Sequence, residues 1–179
     1  GRGARLAAAA EAAHAQGLTP ATGAAMYQRI LVIVTDHPSS QVAIRHALCL
    51  ARGLAAELLL VHPLVQLPVT VVDMPPVVTI SPDDFAPQSA ERGRQLLADA
   101  RALADERQVR ARTQLLDAPD VVDGITSLAR QQACDLIVVG AERGNALVRL
   151  LTGSPVPGLI TRATVPVMVC HADDRPQPP

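Results

Sequence analysis
The sequence has no excess of either charge: 16 lysines and arginines stand against 17 aspartates and glutamates, a formal net charge of −1 at pH 7. Polyanion binding needs a basic patch or stripe, so neither nucleic acid nor an anionic membrane surface is an expected partner. Cysteine is scarce and scattered. Cys49, Cys134 and Cys170 have no paired spacing, which suggests neither a disulfide framework nor a zinc site and reads as small buried apolar residues in a reducing cytoplasm. No apolar run reaches the roughly 18 to 20 residues that span a bilayer, so membrane insertion is not expected. Three chemistry-bearing patterns are also missing: GxSxG, the lysine-bearing GxxxxGKS/T loop and the dinucleotide pattern GxGxxG. No nucleophile–base pair stands out, so no catalytic residue is assigned. His37 and His62 lack a carboxylate or cysteine at ligand spacing, so they read as solvated rim residues and no metal site is assigned.

What is present is enough apolar residue, 49% of 179, to bury one good core. Residues 1–25 are alanine-rich and read as an extension or leader outside the core. Residues 172–179 read as a flexible proline-rich tail, which leaves 26–171 as the domain. Within it, short β-rich runs alternate with segments of helical period, the signature of βαβ units around a parallel sheet. RILVIVT (29–35) is continuously apolar, as a central strand covered on both faces should be. The next segment repeats Ala43, Ala47, Leu50 and Leu54 at helical spacing, with Ser39 or Ser40 as its cap and Gly53 near its end. AELLLVH (56–62) is the second strand. Residues 89–108 form the second helix, with Leu96, Ala100, Leu103 and Ala104 on one face. VRARTQLLD alternates apolar Val109, Ala111 and Leu115 with Arg110, Arg112 and Gln114, which suggests a sheet edge. Pro119 suits the first turn of a third helix, DLIVVG is a fourth strand, and ATVPVMVC (163–170) is a fifth whose Pro166 belongs at an edge or a strand start.

Residues 63–87 break this rhythm, being apolar, proline-rich and long for a crossover loop. Such a segment either packs over its own core or serves as a lid or subunit contact. Ligands of an open parallel sheet sit beyond the carboxyl ends of the strands, where crossovers diverge. Two such ends stand out: TDHPSS, with Asp36, and GAERG, with Gly140, followed through to TGSPVPG.

YQRILVIVTDHPSSQVAIRHALCLARGLAAELLLVH and DLIVVGAERGNALVRLLTGSPVPGLITRATVPVMVC resemble the two ends of a universal stress protein domain, over about Tyr27 to Cys170. The resemblance implies a three-layer α/β fold: an open, parallel, five-stranded sheet of order 3-2-1-4-5 with helices on both faces. It also implies a homodimer through the last strand, here Val165 to Cys170, and a family divided into members that bind ATP and members that do not. ATP-binding members carry a glycine, two residues, a second glycine, nine residues, then glycine with serine or threonine. Gly140 matches the first position and Gly153 with Ser154 the last, while the second glycine falls on Arg143 and Gly144 sits one place late. The acidic residue after strand one matches Asp36, which is equally suited to capping the following turn.

A phosphate is held at a helix start by free N–H groups and the helix dipole. Here Pro155 and Pro157 remove two donors, and Arg143 adds bulk where backbone should approach closely, although its guanidinium could pair with a phosphate. Arg149 is read as facing solvent. The function expected is a noncatalytic stress-response or regulatory protein, cytoplasmic, acting through dimerisation and partner binding, with weak or absent ATP binding. The alternative is an ATP- or AMP-binding sensor or slow ATPase using the loop after strand four. An ATP-using transferase of the wider superfamily is disfavoured because no SGG-type loop follows strand one. A protein partner could use the 63–87 segment.

Overall fold
The computed structural model describes residues 26–64, 82–141 and 155–172. Its elements alternate along the chain as β1 (Arg29–Ile33), α1 (Pro38–Leu54), β2 (Glu57–Pro63), α2 (Pro82–Glu106), β3 (Ala111–Leu116), α3 (Val121–Gln131), β4 (Leu136–Ala141), α4 (Val156–Arg162) and β5 (Val167–His171). The strands form one parallel sheet in the order β3-β2-β1-β4-β5, the order implied by the resemblance. β1 is central, and Ile30, Leu31 and Val32 have no exposed surface. A strand buried on both faces has no use for alternation, which is why RILVI reads as one apolar run.

Each face of the sheet carries its own core. Ile30, Val32, Leu58 and Leu60 pack under α1 and α2, while Leu31, Ile33, Leu59, Val61, Ile137 and Val139 pack under α3 and α4. α1 buries Ala43, Ala47 and Ala51 beside Ile44 and Leu48, and the small residues let the helix lie close over the sheet. Leu50 and Leu54, expected on the buried stripe, are only partly buried at its margin, and Cys49, expected to be buried like Cys134 and Cys170, is exposed on the outer face of the helix. α2 buries Leu96, Leu97, Ala100 and Ala104. On β3, Ala111 is buried while Arg112 and Thr113 are exposed, as an edge strand with a polar face requires.

Several boundaries differ from the sequence reading, each for a local reason. α1 is capped by His37, not by Ser39 or Ser40: the His37 ring accepts from the Ser39 N–H, and Pro38 takes the first helical turn, where its missing N–H costs nothing. The left-handed residue closing α1 is Ala55 (φ 54°), and Gly53 lies inside the helix. Pro119 precedes α3 instead of opening it, because Asp120 is the cap and accepts from the Asp123 N–H at 2.9 Å. α2 starts at Pro82 and carries Pro87 within it, so the last part of the segment read as a 63–87 loop is helical and Pro63 ends β2. The middle of that segment lies outside the described residues. Pro166 directly precedes β5, where its carbonyl accepts from Ile137 N–H at 3.0 Å.

Candidate functional site
β1 ends early. Its last ladder bond runs from Val34 N–H to Val61 O (2.8 Å), and β2 continues through His62 and Pro63 beside β3. In a parallel ladder the next bond would pass from residue 63 N–H to Val34 O. Pro63 has no N–H, and the imidazole of His62 takes the place, its Nδ1 lying 2.8 Å from Val34 O. A carbonyl only accepts, so Nδ1 carries the proton. The ring also lies over α2 at Gly93, where a Cβ would stand 2.5 Å from His62 Cδ2. By the alternation of the ladder, the main chain of Pro63 faces the β1 side beyond the end of β1, offering an acceptor and no donor.

Across β1, the end of β4 meets the first turn of α1. Ser39 and Ser40 are buried there, 2% and 1% exposed. Ser40 Oγ accepts from Thr35 N–H at 2.9 Å and lies 3.4 Å from Ile33 O, tying the helix start to the strand it left. Gly140 lies against this turn. A Cβ on Gly140 would sit 2.5 Å from the Ser39 carbonyl carbon and 2.6 Å from both Ser39 O and Ser40 N. The glycine is therefore demanded by close packing of main chain on main chain.

The first turn of α1 has few donors to spare. Pro38 has none, Ser39 N–H is directed to His37 Nδ1 (3.2 Å), and Ser40 N–H donates to His37 O (2.9 Å). His37 Nδ1 also lies 2.7 Å from Ser39 Oγ; accepting there, it leaves the proton of a neutral ring on Nε2. α4 opens on Pro155, whose side chain makes no cap, with Pro157 in its first turn. Proline thus removes N–H groups from the starts of both helices.

Of the site residues read from sequence, Asp36 is exposed just past β1, and Gly140 lies on the same rim because β1 and β4 are neighbours. Asp36 is not the cap of α1; that role is His37's. Arg143, Gly144, Gly153, Ser154 and Arg149 lie outside the described residues. His37 and His62, read as solvated rim histidines, are instead structural: one caps α1 and the other completes a ladder. The His–Pro pair at 62–63 is the signal that could have revealed the second role, once the register was known. Among the described residues, no group of three or more His, Cys, Asp or Glu could hold a metal ion, and no helix is long and apolar enough to cross a membrane.

The opposite, amino-terminal end of the sheet holds the strongest electrostatics. Arg112 forks onto Glu57 at 2.6 and 2.9 Å, and Arg29 Nε reaches the same carboxylate at 3.2 Å. Arg112's hydrogen bond, with the charges of both arginines, holds the Glu57 carboxyl down at about 2 against the opposing effect of burial. Asp135 accepts the main-chain N–H groups of Gln28 (2.6 Å) and Arg29 (3.2 Å), while Arg29 Nη1 donates to Gln132 O. Cys134, buried close by, has its thiol pushed up to about 11, chiefly by desolvation, so it is a poor nucleophile.

A comparison with curated protein sequences finds no match. The chain does resemble solved structures. A universal stress family protein from Burkholderia pseudomallei is 26% identical, with 80% of this chain and 96% of that one covered and a TM-score of 0.61. A universal stress protein in complex with cAMP is 19% identical, covers 83% and 99%, and has a TM-score of 0.63. An Archaeoglobus fulgidus universal stress protein in complex with dAMP is 19% identical, covers 81% and 98%, and scores 0.56. The model of the universal stress protein family matches residues 26–171, and the chain belongs to that family.

Proposed function
We propose that this is a noncatalytic stress-response regulator that acts through dimerisation and partner binding, with weak or absent ATP binding. The domain is residues 26–171, with 1–25 and 172–179 as appendages and the cytoplasm as its location. The observation that carries this reading is the shortage of N–H donors at the two helix starts among the described residues: Pro38, Pro155 and Pro157 have none, and Ser39 N–H is engaged by His37. A phosphate is held by such donors, so the crevice has the position of a nucleotide site and a weakened grip. Asp36, Gly140, Arg143, Gly144, Gly153 and Ser154 are the residues proposed to border it. Dimerisation through the last strand is supported by its open edge and by Val167, Met168 and Val169, which are half-buried with no strand beyond them among the described residues.

The second reading is an ATP- or AMP-binding sensor or slow ATPase, with Arg143 standing in for the lost donors. It is favoured by neighbours whose structures hold cAMP, dAMP or AMP. Calorimetry with ATP, ADP, AMP and cAMP separates the two, combined with light scattering for the dimer. Weak or no heat is expected from the native chain, and Pro157→Ala should tighten ATP binding by about tenfold, the low end of the value of one charge-assisted hydrogen bond. Low-micromolar ATP binding that is lost in Arg143→Ala would establish the second reading instead.

A further inference from the structure
The edge of β3 is the other open margin of the sheet. Leu58 N–H donates to Arg110 O and Leu64 N–H to Leu116 O, so the even-numbered residues of β3 face β2. The main chains of Ala111, Thr113 and Leu115 therefore point outward, and no strand lies beyond them among the described residues. Their N–H and C=O groups form a template for an added strand. On the helix-facing side, Ala111 is buried and Leu115 half-buried, yet Thr113 between them is exposed. The gap at Thr113 opens a groove of about 250 Å³ between β3 and α2, lined by Leu97, Ala98, Thr113, Gln114 and Leu115, with Arg94 and Arg101. Those two arginines are the only charged side chains lining it among the described residues. Each reaches a carboxylate on its own helix, Arg94 to Glu91 at 2.9 Å and Arg101 to Asp105 at 3.0 Å, in exposed pairs that exchange readily.

We infer that this edge takes an extended, acidic segment of a partner protein as a sixth strand. The outward N–H and C=O groups supply the main-chain bonds, Leu97 and Leu115 give apolar side chains of the segment a floor, and Arg94 and Arg101 select its carboxylates. Strand addition to an exposed sheet edge is a recurring mode of peptide recognition, in which main-chain bonds give affinity and pockets for alternate side chains give specificity. The mixed surface of β3 sets it apart from the apolar last strand, so that one margin is suited to a second copy and the other to a different, charged partner.

The test uses the full chain and two fluorescent peptides of about eight residues, the length of a strand, in which every second residue, the set that shares one face, runs Glu-Val-Val-Glu in one and Lys-Val-Val-Lys in the other, with threonine between. Anisotropy should show the glutamate peptide binding at least about tenfold more tightly. Thr113→Pro removes an outward N–H and leaves the ladder to β2 intact; it should weaken that binding about tenfold with the melting temperature nearly unchanged. Arg94→Gln with Arg101→Gln should abolish the preference for glutamate over lysine. Amide exchange reads the edge without any variant: the Thr113 and Leu115 N–H groups exchange freely in the isolated chain and slow when the peptide is bound. Equal binding of the two peptides, or an unaffected Thr113→Pro of native stability, overturns the inference. So does a Thr113 amide already protected in the isolated chain.

Discussion
The two ends of the sheet solve the same problem by different means. At the amino-terminal end, strands β1 to β4 start side by side, and their loose main-chain and side-chain groups are gathered by full charges: Glu57 between Arg29 and Arg112, and Asp135 across the start of β1. At the carboxyl-terminal end the joints are neutral. A serine hydroxyl returns α1 to β1, an imidazole replaces a missing N–H, and a glycine lets β4 slide beneath a helix start. The first end is sensitive to pH and salt, and the second to shape. A binding crevice profits from the second arrangement, because neutral joints add no charge of their own to that of Asp36 on the rim.

The sharpest way to break the comparison is Gly140→Ala. One methyl group cannot be accommodated 2.5 Å from the Ser39 carbonyl carbon without moving main chain, and a loss of about 3 kcal/mol is expected, read by urea denaturation. A change within error would mean that this end is not held by fit. Next comes Glu57→Gln, which removes the carboxylate from between two guanidinium groups and should cost about 2 kcal/mol at pH 7. The pH dependence follows from the direction of the shift. A carboxyl held at about 2 when folded, against 4.5 as its ordinary value, contributes stability that is fully present above 4.5 and lost as pH falls through 2. The acid limb of the melting temperature between those values should therefore flatten in Glu57→Gln and persist in Gly140→Ala. The smallest effect is His62→Leu, which strands the buried Val34 carbonyl and should cost about 1 kcal/mol. Adding Pro63→Ala returns an N–H to the ladder and should recover part of that loss.

The layered fold was legible because burial imposes a pattern. β1 is apolar where both its faces are covered, β3 mixes polar with apolar residues at the margin of the sheet, and the helices repeat every three to four residues where they meet the sheet. What escaped were joints that depend on register or on one residue's choice of partner. Ser39 and Ser40 are good caps by type, yet His37 takes that role, because Pro38 fits the first turn behind it and the Ser40 hydroxyl is turned back to Thr35. A proline-rich stretch discouraged a helix at 82–87, although proline is well suited to opening one. The rim position of Asp36 and Gly140 follows from the strand order. The packing demand on Gly140 does not, since it comes from the depth at which α1 settles over β4.

That depth has a consequence for any survey of variants. Position 140 will score as intolerant in any screen that reads folded protein, and a residue that touches a ligand will score the same way in one that reads binding. Here the intolerance is built into the joint itself and persists whether or not the crevice is ever filled, so sensitivity at this glycine is no measure of binding.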